Sequence, residues 1–338
     1  MKAELKQTHV SKQWKHDGAA LINCRFDPTG KFVFATAEDR TILRWDLANG
    51  KKVTFSGHDS WARGIAFTSD GETVVTSGYD DTLIWWPTAA AKPQPVRKVK
   101  AHRGWIRAIS VSPDGKLLAS GGNDRSVKLW NLADGKLVRE MSEKHELDVY
   151  STFFHPNGKF LLTGDLMGKI IQWEVATGKA VRKFEAKDLH TYNGGQGVHY
   201  GGIRSIALSP DGKHLACAGL TKATNPLGAV NEPMIVRFEW DSQKIVKKHV
   251  LSGVKGILWR AFFHPEGHLI GCSGGSGGGF LGFWKADQDK EVHKLKLPNT
   301  AREIDLHPDG IQIATVHHDR HLRISKMSPK PPAPKKKK

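Results

Sequence analysis

The chain has 338 residues, 39% of them hydrophobic, with eleven Trp and fourteen Phe, so it can form a sizeable core and is not a disordered protein. Its formal net charge of +17 favours acidic partners, phosphate-bearing ligands or nucleic acid, and does not indicate a fold. No run of 18 apolar residues and no signal-peptide pattern occurs, so we expect a cytoplasmic protein, or a nuclear one in a eukaryotic cell. Cys24, Cys217 and Cys272 are far apart and are expected to be reduced core residues.

A tetrapeptide turn that ends in glycine recurs seven times along the chain. Its copies are residues 27–30, 68–71, 112–115, 155–158, 209–212, 264–267 and 307–310. From glycine to glycine the steps are 41, 44, 43, 54, 55 and 43 residues. Such a period is typical of arrays in which one unit cannot bury its apolar face alone. The sequence therefore predicts one closed domain of seven units, which favours binding over catalysis.

The third unit shows the predicted strands most clearly. Residues 105–112 and 116–120 alternate apolar and polar side chains on either side of a Pro-Asp-Gly turn, which predicts a hairpin. Residues 126–131 predict a third strand after Gly-Gly-Asn-Asp, and residues 137–141 predict a fourth. Each unit is therefore expected to be four-stranded.

Four polar side chains in this unit could form a hydrogen-bonded relay: His102, Ser120, Asp124 and Trp130. The indole N–H can donate to the hydroxyl, the hydroxyl can bond the imidazole, and the carboxylate can hold the imidazole. The sets expected in the first two units are His16, Thr36, Asp39 and Trp45, and His58, Ser77, Asp80 and Trp86.

The later units depart from this tetrad. The fourth keeps His145, Thr163 and Trp173 but has Met167 where the aspartate is expected, and the fifth and sixth lose most of it. The seventh keeps Asp319, with Ser325 in place of tryptophan. Together with the Trp-Asp pair at 45–46, the repeats resemble the WD-repeat β-propeller family over roughly residues 4–326. The resemblance implies an all-β, seven-bladed propeller of four antiparallel strands per blade, braced by these tetrads.

A His-Ser-Asp trio is also the residue set of a hydrolase. Here it recurs in several units and ends on a tryptophan, whereas a catalytic triad is one constellation with an oxyanion hole. No nucleophile-elbow, phosphate-loop or metalloprotease motif occurs, and the glycine-rich run at 273–280 lacks the lysine of a phosphate loop. The histidines at 190, 199, 317, 318 and 321 match no compact metal site. We therefore expect a non-enzyme with no catalytic residue, cofactor or metal.

The two ends of the chain are predicted to meet in one blade. The seventh unit ends near Lys326 without a fourth strand, and residues 5–14 lie where a fourth strand would precede a new repeat. We expect residues 1–15 to complete blade seven and remove its exposed edge. Residues 16–326 would then form the seven repeats, and residues 327–338 a disordered basic tail rich in Pro and Lys.

The fifth unit is longer than the others and carries two predicted insertions. They span roughly residues 186–202, between blades, and 219–233, between the second and third strands. The resemblance places both connections on the top face of the propeller. Long loops on one face are candidate binding elements, and neutral surface decoration is the alternative.

Arginines and aromatic residues recur at one register of the predicted inner strands. Four arginines lie five residues before a turn: Arg63, Arg107, Arg204 and Arg302. Tyr150 and Trp259 hold this register in units four and six, and Arg260 follows Trp259. Trp61 and Trp105 lie two residues before an arginine, on the same strand face. The resemblance places this register at the rim of the central channel on the top face.

A second set of arginines directly follows the tetrad aspartates: Arg40, Arg125 and Arg320. The resemblance also places these turns on the top face. Crowded guanidinium groups repel one another unless they are neutralised. An anionic ligand is one explanation, and pairing with nearby acids together with stacking on tryptophan is the other.

The C-terminal residues 326–338 hold six lysines and no acid, and therefore six of the 17 net charges. Such a segment binds nucleic acid or an anionic membrane surface in some proteins and is only solvated in others. We expect a scaffold that binds an acidic or phosphorylated protein segment on its Arg/Trp-rich top face. The alternative is association with nucleic acid through the basic face and the tail. A monomer is the default expectation.

Overall fold

The computed structural model describes residues 2–224 and 230–330. It contains seven four-stranded antiparallel sheets, one two-stranded hairpin and two short 3-10 helices, Leu5–Gln7 and Lys187–Leu189. The predicted seven-bladed, all-β propeller is thereby confirmed. Most of the predicted tail, and residues 225–229 of the second predicted insertion, lie outside the described residues.

The strands follow one another along the chain, four to a blade. Strand β1 (Thr8–Lys15) comes first and belongs to blade seven. Blades one to three consist of β2 (Leu21–Phe26), β3 (Phe32–Ala37), β4 (Ile42–Asp46), β5 (Lys52–Phe55), β6 (Ala62–Phe67), β7 (Thr73–Gly78), β8 (Thr82–Pro87), β9 (Arg97–Lys100), β10 (Ile106–Val111), β11 (Leu117–Gly122), β12 (Val127–Asn131) and β13 (Leu137–Glu140).

Blades four and five are separated by the additional hairpin of β18 and β19. The strands of blades four and five, with the hairpin between them, are β14 (Val149–Phe154), β15 (Phe160–Asp165), β16 (Lys169–Glu174), β17 (Ala180–Glu185), β18 (His190–Asn193), β19 (Val198–Gly201), β20 (Ser205–Leu208), β21 (His214–Thr221), β22 (Glu232–Glu239) and β23 (Ile245–Val250). Blades six and seven consist of β24 (Ile257–Phe263), β25 (Leu269–Gly275), β26 (Gly278–Trp284), β27 (His293–Leu297), β28 (Ala301–Leu306), β29 (Gln312–His317) and β30 (His321–Met327).

The seven repeated glycine turns join the inner strand of each blade to the second strand. In all seven the glycine has a positive φ, between 69° and 88°, a conformation that is strained for side chains with a Cβ. In blade three Ser112 Oγ donates to Asp114 Oδ1 at 2.6 Å, and the Leu117 N–H donates to Ser112 Oγ at 2.9 Å. The repeated glycine turn therefore marks the bottom face, where the first and second strands meet.

The inner strands β2, β6, β10, β14, β20, β24 and β28 contact their neighbours in a closed ring. They begin at the same end of the channel because every blade has the same antiparallel order. We call this end the top face; the second-to-third strand turns also lie there. The starts of the inner strands, which carry the rim arginines Arg63, Arg107, Arg204 and Arg302, therefore come together.

The ring is closed by the N-terminal strand. The sheet of blade seven has the order β1-β30-β29-β28, and Thr8 of β1 pairs antiparallel with Met327 of β30. Trp14 packs on Trp45 of blade one with ring centroids 6.4 Å apart. The predicted closure is confirmed, with the strand over Thr8–Lys15 and a 3-10 helix ahead of it.

The apolar core lies between the blades. Among the described residues, seven clusters of buried side chains each join two neighbouring blades. Trp45, Trp86 and Trp173 are almost fully buried in three of these interfaces, where truncation of such a ring costs about 3–5 kcal/mol. The cysteines at 24, 217 and 272 are buried, free thiols in separate clusters, as expected, and burial raises the pKa of each. No helix in the described part of the chain is long and apolar enough to cross a membrane.

Candidate interaction site

The tetrad of blade three forms a complete relay below the top face. Trp130 Nε1 donates to Ser120 Oγ at 2.8 Å, and His102 Nε2 lies 2.7 Å from the same hydroxyl. His102 Nδ1 lies 2.9 Å from Asp124 Oδ1. Burial raises the pKa of the Asp124 carboxyl, but the hydrogen bond and the charge of His102 outweigh it and hold that pKa well below its usual range. The buried relay ties strands β11 and β12 to the turn between them and to the segment that precedes β10.

Blade two corrects one predicted tetrad residue. Thr76, and not Ser77, is the hydroxyl: Trp86 Nε1 donates to Thr76 Oγ1 at 2.9 Å, and His58 Nε2 lies 2.8 Å from it. Ser77 points the other way and accepts the Gly64 N–H at 3.1 Å. Successive side chains of a strand face opposite sides, so an error of one residue exchanges the two roles.

Blade one lacks the relay that was expected of it. His16 Nε2 bonds Asp39 Oδ2 at 2.6 Å, but the buried Thr36 hydroxyl has no partner among the described residues. Trp45 pairs with Val33, so Ala35 occupies the position that Ser120 has in blade three. The prediction of Thr36 as the bridging hydroxyl was wrong by one residue: Ala35 lies four residues before Asp39, as Ser120 lies four residues before Asp124, and Thr36 faces the other side of the strand.

Blade four has a complete relay with its aspartate at a different place. Trp173 Nε1 donates to Thr163 Oγ1 at 2.7 Å, and His145 Nε2 lies 2.7 Å from that hydroxyl. His145 Nδ1 lies 2.9 Å from Asp165 Oδ2, and Asp165 is fully buried. The substitution of Met167 for the expected aspartate therefore does not break the tetrad, because Asp165 reaches the same imidazole from the end of β15.

Blade seven replaces the relay with other contacts. Ser325 pairs with Ile313, which places it at the tryptophan position. Asp319 forms an ion pair with Arg323 at 2.6 Å, and the buried His317 bonds Thr315 Oγ1 at 2.9 Å and the Asn299 carbonyl at 2.9 Å. The blade that contains both chain ends is thus braced by an ion pair and a neutral histidine.

Most of the aromatic and arginine residues singled out in the sequence line one cavity at the channel mouth. This cavity has a volume of about 280 Å³. Its lining includes Trp61, Arg63, Arg107, Tyr150, Arg204, Trp259 and Arg302, together with Ile22, Glu38 and Tyr79. A deeper cavity of about 310 Å³ continues into the channel and is lined by residues of all seven inner strands, Arg260 among them. We call the upper cavity the channel mouth.

The other predicted residues lie outside the channel mouth. Trp105 packs beside it, on Tyr79. Arg40 and Arg125 are exposed in the second-to-third strand turns, with φ of 73° and 65°. Arg320 points its guanidinium at the Asp17 and Gly18 carbonyls, at 3.3 and 3.4 Å. These three arginines contribute to the charge of the top face without reaching the cavity.

A ladder of three stacked aromatic rings runs from blade two to blade three. Tyr79 lies 6.0 Å from Trp61 and 4.3 Å from Trp105 between ring centroids, with interplanar angles of 23° and 4°. Trp61 and Trp105 are 43% and 44% exposed, so the ladder is held by stacking and not by burial. Sequence reasoning found both tryptophans and missed Tyr79.

A sequence signal for the missed residues exists in hindsight. Glu38, Tyr79 and Asn123 each directly precede a tetrad aspartate, and each contacts a rim arginine. Glu38 bonds Arg302, while Tyr79 and Asn123 bond Arg107. The residue before the tetrad aspartate therefore faces the channel mouth.

Two of the rim arginines have an acidic partner. Arg302 pairs with Glu38 at 2.5 Å, and Arg107 lies 3.5 Å from Asp148. Below the mouth, Arg260 lies 3.7 Å from the buried Glu303 and 3.6 Å from Asp305. Burial raises the pKa of Glu303, and raises that of Asp305 to about 6, against the opposing charge of nearby arginine.

Arg63 and Arg204 have no carboxylate within ion-pair distance among the described residues. Arg63 donates only to the Ile22 carbonyl, at 3.3 Å. The Arg204 guanidinium lies 4.1 Å from the Tyr150 ring centroid and 5.6 Å from that of Trp259. Burial lowers the pKa of Arg204, and the charges of Arg107 and Arg63 lower it further. Of the four rim arginines, Arg107 and Arg302 thus have acidic partners, and Arg204 stacks on aromatic rings.

The first insertion of blade five forms the hairpin of β18 and β19. His190 Nε2 lies 2.9 Å from His199 Nδ1, and the Tyr192 ring packs on His199 with centroids 4.7 Å apart. Burial lowers the pKa of His190, and the neighbouring His199 lowers it further. The hairpin contacts β21 of blade five, and none of its residues lines the channel mouth.

In the described part of the chain, one group of three potential metal ligands lies close together: His264, Glu266 and His268. It belongs to the bottom turn of blade six. His264 accepts the Glu266 N–H on Nδ1 at 3.1 Å and lies 2.8 Å from the Gly310 carbonyl through Nε2. His264 Nδ1 is therefore engaged within this turn and Nε2 with the turn of blade seven, which gives His264 a structural role.

Comparison with known proteins adds a family-level match. The family model described as "WD domain, G-beta repeat" matches residues 8–46, 50–87, 93–131, 135–174 and 187–222. The first matched segment starts in β1 and runs into blade one, so the sequence repeat is offset from the blade.

Individual relatives match over short stretches. The chain is 34% identical over 87 residues to DDB1- and CUL4-associated factor 10 of Xenopus laevis, which is 25% of this chain and 19% of the relative. It is 42% identical over 59 residues to the Homo sapiens protein of that name, 17% of this chain and 11% of the relative. It is 40% identical over 48 residues to nuclear distribution protein PAC1 of Mycosarcoma maydis, 14% of this chain and 11% of the relative. The similarity thus spans less than a fifth of each of these relatives.

Proposed function

The chain belongs to the WD-repeat family, and we propose that it is a non-catalytic scaffold that binds an acidic or phosphorylated segment of a protein partner at the channel mouth. WD-repeat propellers are in general interaction scaffolds, in which the repeats supply a rigid body and the exposed faces supply the contacts. The tetrads of blades two, three and four are buried and engaged in bracing, which favours the channel mouth over the tetrads as a ligand site.

The observation that carries this proposal is the composition of the mouth. Four arginines and four aromatic rings line one cavity, and in the part of the chain that the structure describes two of the arginines have no acid within ion-pair distance. Guanidinium groups form strong charge-assisted hydrogen bonds with carboxylates and phosphates, and partly exposed aromatic rings are frequent anchors of protein interfaces. The exposed faces of Trp61 and Trp105 extend the same surface beyond the cavity.

The names of the relatives favour a protein partner. A factor named for association with DDB1 and CUL4 is a component of a protein assembly. Since the match covers 19% or less of those proteins, the partner of this chain is proposed from the chemistry of its own top face.

The proposal is tested by reversing charge on one face at a time. We expect a fluorescent acidic peptide to bind the wild-type protein and to lose at least tenfold in affinity when the four rim arginines are replaced by glutamate. The matched control replaces four exposed bottom-turn lysines by glutamate: Lys31, Lys116, Lys159 and Lys213. Both variants change the net charge by the same amount, so equal losses would show a non-specific charge effect and contradict the proposal. The double variant Arg63→Gln, Arg204→Gln serves if the fourfold one does not fold.

The high positive charge favours a second candidate, association with nucleic acid through the basic face and the lysine-rich C-terminal residues. This candidate predicts that single-stranded and duplex DNA bind tightly at low salt and that affinity falls steeply as salt rises. Deletion of residues 331–338, which removes four lysines, should weaken that binding and leave binding of the acidic peptide unchanged. Absence of DNA binding at low salt eliminates the candidate.

A further inference from the structure

The charge of the channel mouth is unevenly distributed. On the side of blades one, six and seven, each arginine has an acid nearby: Arg302 beside Glu38, and Arg25 and Arg260 beside Glu303. On the side of blades two to five, three rim arginines have only Asp148 within ion-pair distance among the described residues. We call Arg63, Arg107, Arg204 and the Tyr150 ring the unpaired half of the mouth.

The unpaired half holds its three guanidinium groups in place with only one carboxylate, that of Asp148, within ion-pair distance among the described residues. Arg107 and Arg204 lie over the same Tyr150 ring, with guanidinium carbons 4.5 and 4.1 Å from its centroid. Asn123 fixes the Nε of Arg107 at 2.5 Å, and the Ile22 carbonyl holds Arg63. A ligand anion would therefore meet donors that are already ordered, which lowers the entropic cost of binding.

Several buried donors beside the unpaired half have no acceptor. Arg204 Nε and Trp259 Nε1 are buried and have no hydrogen-bond partner among the described residues. The Ser151 hydroxyl, on a side chain that is 5% exposed, is also without a partner and lines the deeper cavity. Buried donors are costly when unsatisfied. Arg204 and Trp259 line the channel mouth with these free N–H groups, which favours a ligand that accepts hydrogen bonds.

We propose that the unpaired half of the mouth holds a phosphorylated side chain of the bound segment, with the phosphate group among Arg63, Arg107 and Arg204. This inference rests on the proposed function and names the group that is recognised. The three guanidinium groups carry three positive charges, and the carboxylate of Asp148 carries one negative charge, so two positive charges remain. A phosphomonoester carries about −1.5 to −2 at pH 7 and has three acceptor oxygens, whereas a carboxylate carries one charge and two oxygens. The phosphate therefore matches both the excess charge and the number of guanidinium donors.

The test compares two peptides that differ only at the central residue. Both contain the same flanking glutamates, with either phosphoserine or glutamate at the centre. We expect the phosphoserine peptide to bind at least tenfold more tightly at 0.15 M salt and pH 7.5. The advantage should shrink as the pH falls through about 6, where the phosphate gains a proton and loses one charge.

Variants then assign the preference to particular residues. Arg63→Gln and Arg204→Gln should each reduce the preference for phosphoserine at least fivefold. Arg204→Lys keeps the charge but loses the fork of donors, and should give an intermediate value. Arg125→Gln removes one charge from the same face outside the cavity, and is expected to leave the preference unchanged. Melting temperatures that match the wild type establish that the variants are folded.

Each other result has a defined meaning. Equal, Arg-dependent binding of the two peptides would overturn the phosphate inference and leave the proposed function standing. Binding of neither peptide would overturn both. If adenosine 5′-monophosphate displaces the phosphopeptide at equal concentration, the site recognises free phosphate esters, and the assignment to a protein side chain fails. If Arg125→Gln reduced the preference for phosphoserine as much as Arg204→Gln does, the preference would depend only on the overall charge, and the phosphate site would be ruled out.

Discussion

Asp165 occupies the tetrad of blade four from an unexpected place in the chain. It lies two residues before Met167, the residue at the expected aspartate position, and accepts from His145 as well as from the Met167 and Lys169 N–H groups. The sequence predicted the histidine, the hydroxyl and the tryptophan of this blade. The acid was missed because turns of different geometry can bring a carboxylate to the same imidazole, and residue counting does not show which turn is present.

We predict that Asp165→Asn destabilises the protein by roughly 2 kcal/mol, because a buried charge-assisted hydrogen bond is lost. Met167→Ala is the matched control. Its side chain is only partly buried, so a loss of less than about 1 kcal/mol is expected. Urea unfolding measures both. A larger effect of the methionine variant would contradict the placement of Asp165 in the tetrad.

His317 makes the stability depend on pH. Burial lowers its pKa to about 4, assisted by the charge of Arg323 and opposed by Asp319, while in the unfolded chain the pKa is about 6.5. The folded state thus excludes a proton that the unfolded state binds. The contribution of this neutral histidine is therefore present above pH 6.5 and is lost as the pH falls toward 4.

Between pH 7 and pH 4.5 we expect this one group to remove about 2 kcal/mol from the free energy of unfolding. In His317→Gln the residue cannot take up a proton, so the decline over the same range should be smaller by that amount. Urea unfolding of the two proteins at both pH values gives the comparison. Parallel declines would show that His317 does not titrate as described.

Strand β1 behaves as a regular outer strand of the ring. In other blades an outer-strand arginine donates to a carbonyl of the next blade: Arg97 to Ala133 at 2.8 Å, Arg139 to Val175 at 3.0 Å and Arg182 to Trp240 at 2.8 Å. In β1, Lys12 makes the same contact with the Leu47 carbonyl of blade one, at 2.9 Å. The N-terminal strand therefore completes blade seven and also joins it to blade one.

Deletion of residues 2–14 is predicted to lower the melting temperature by roughly 10 °C or more, since it exposes the edge of β30 and opens the ring. A synthetic peptide of residues 2–14 added in trans should restore part of the loss. Calorimetry with and without the peptide gives the answer. An unchanged melting temperature in the deletion variant would disprove the closure by β1.

Over the whole molecule, the features that recur in every blade could be predicted from the sequence, and the contacts that occur only once could not. Seven glycine turns determined the blade number, and counting from them aligned the rim arginines, because the strand period is the same in every blade. The partners of those arginines were not predictable in this way. Glu38 meets Arg302 across 264 residues of sequence, and Tyr79 of blade two stacks on Trp105 of blade three. Such contacts between blades follow from ring closure.

The central claim is that the partner contacts the channel mouth and not the outer edges of the blades. A photo-cross-linking amino acid placed at Trp61 samples the mouth, and one at Val138, which is 50% exposed on an outer strand, samples the edge. We predict that position 61 captures a specific protein in cells, that Arg63→Gln with Arg204→Gln abolishes the product, and that the cross-linked peptide is acidic or phosphorylated. Capture of the same protein from position 138 alone would contradict the claim.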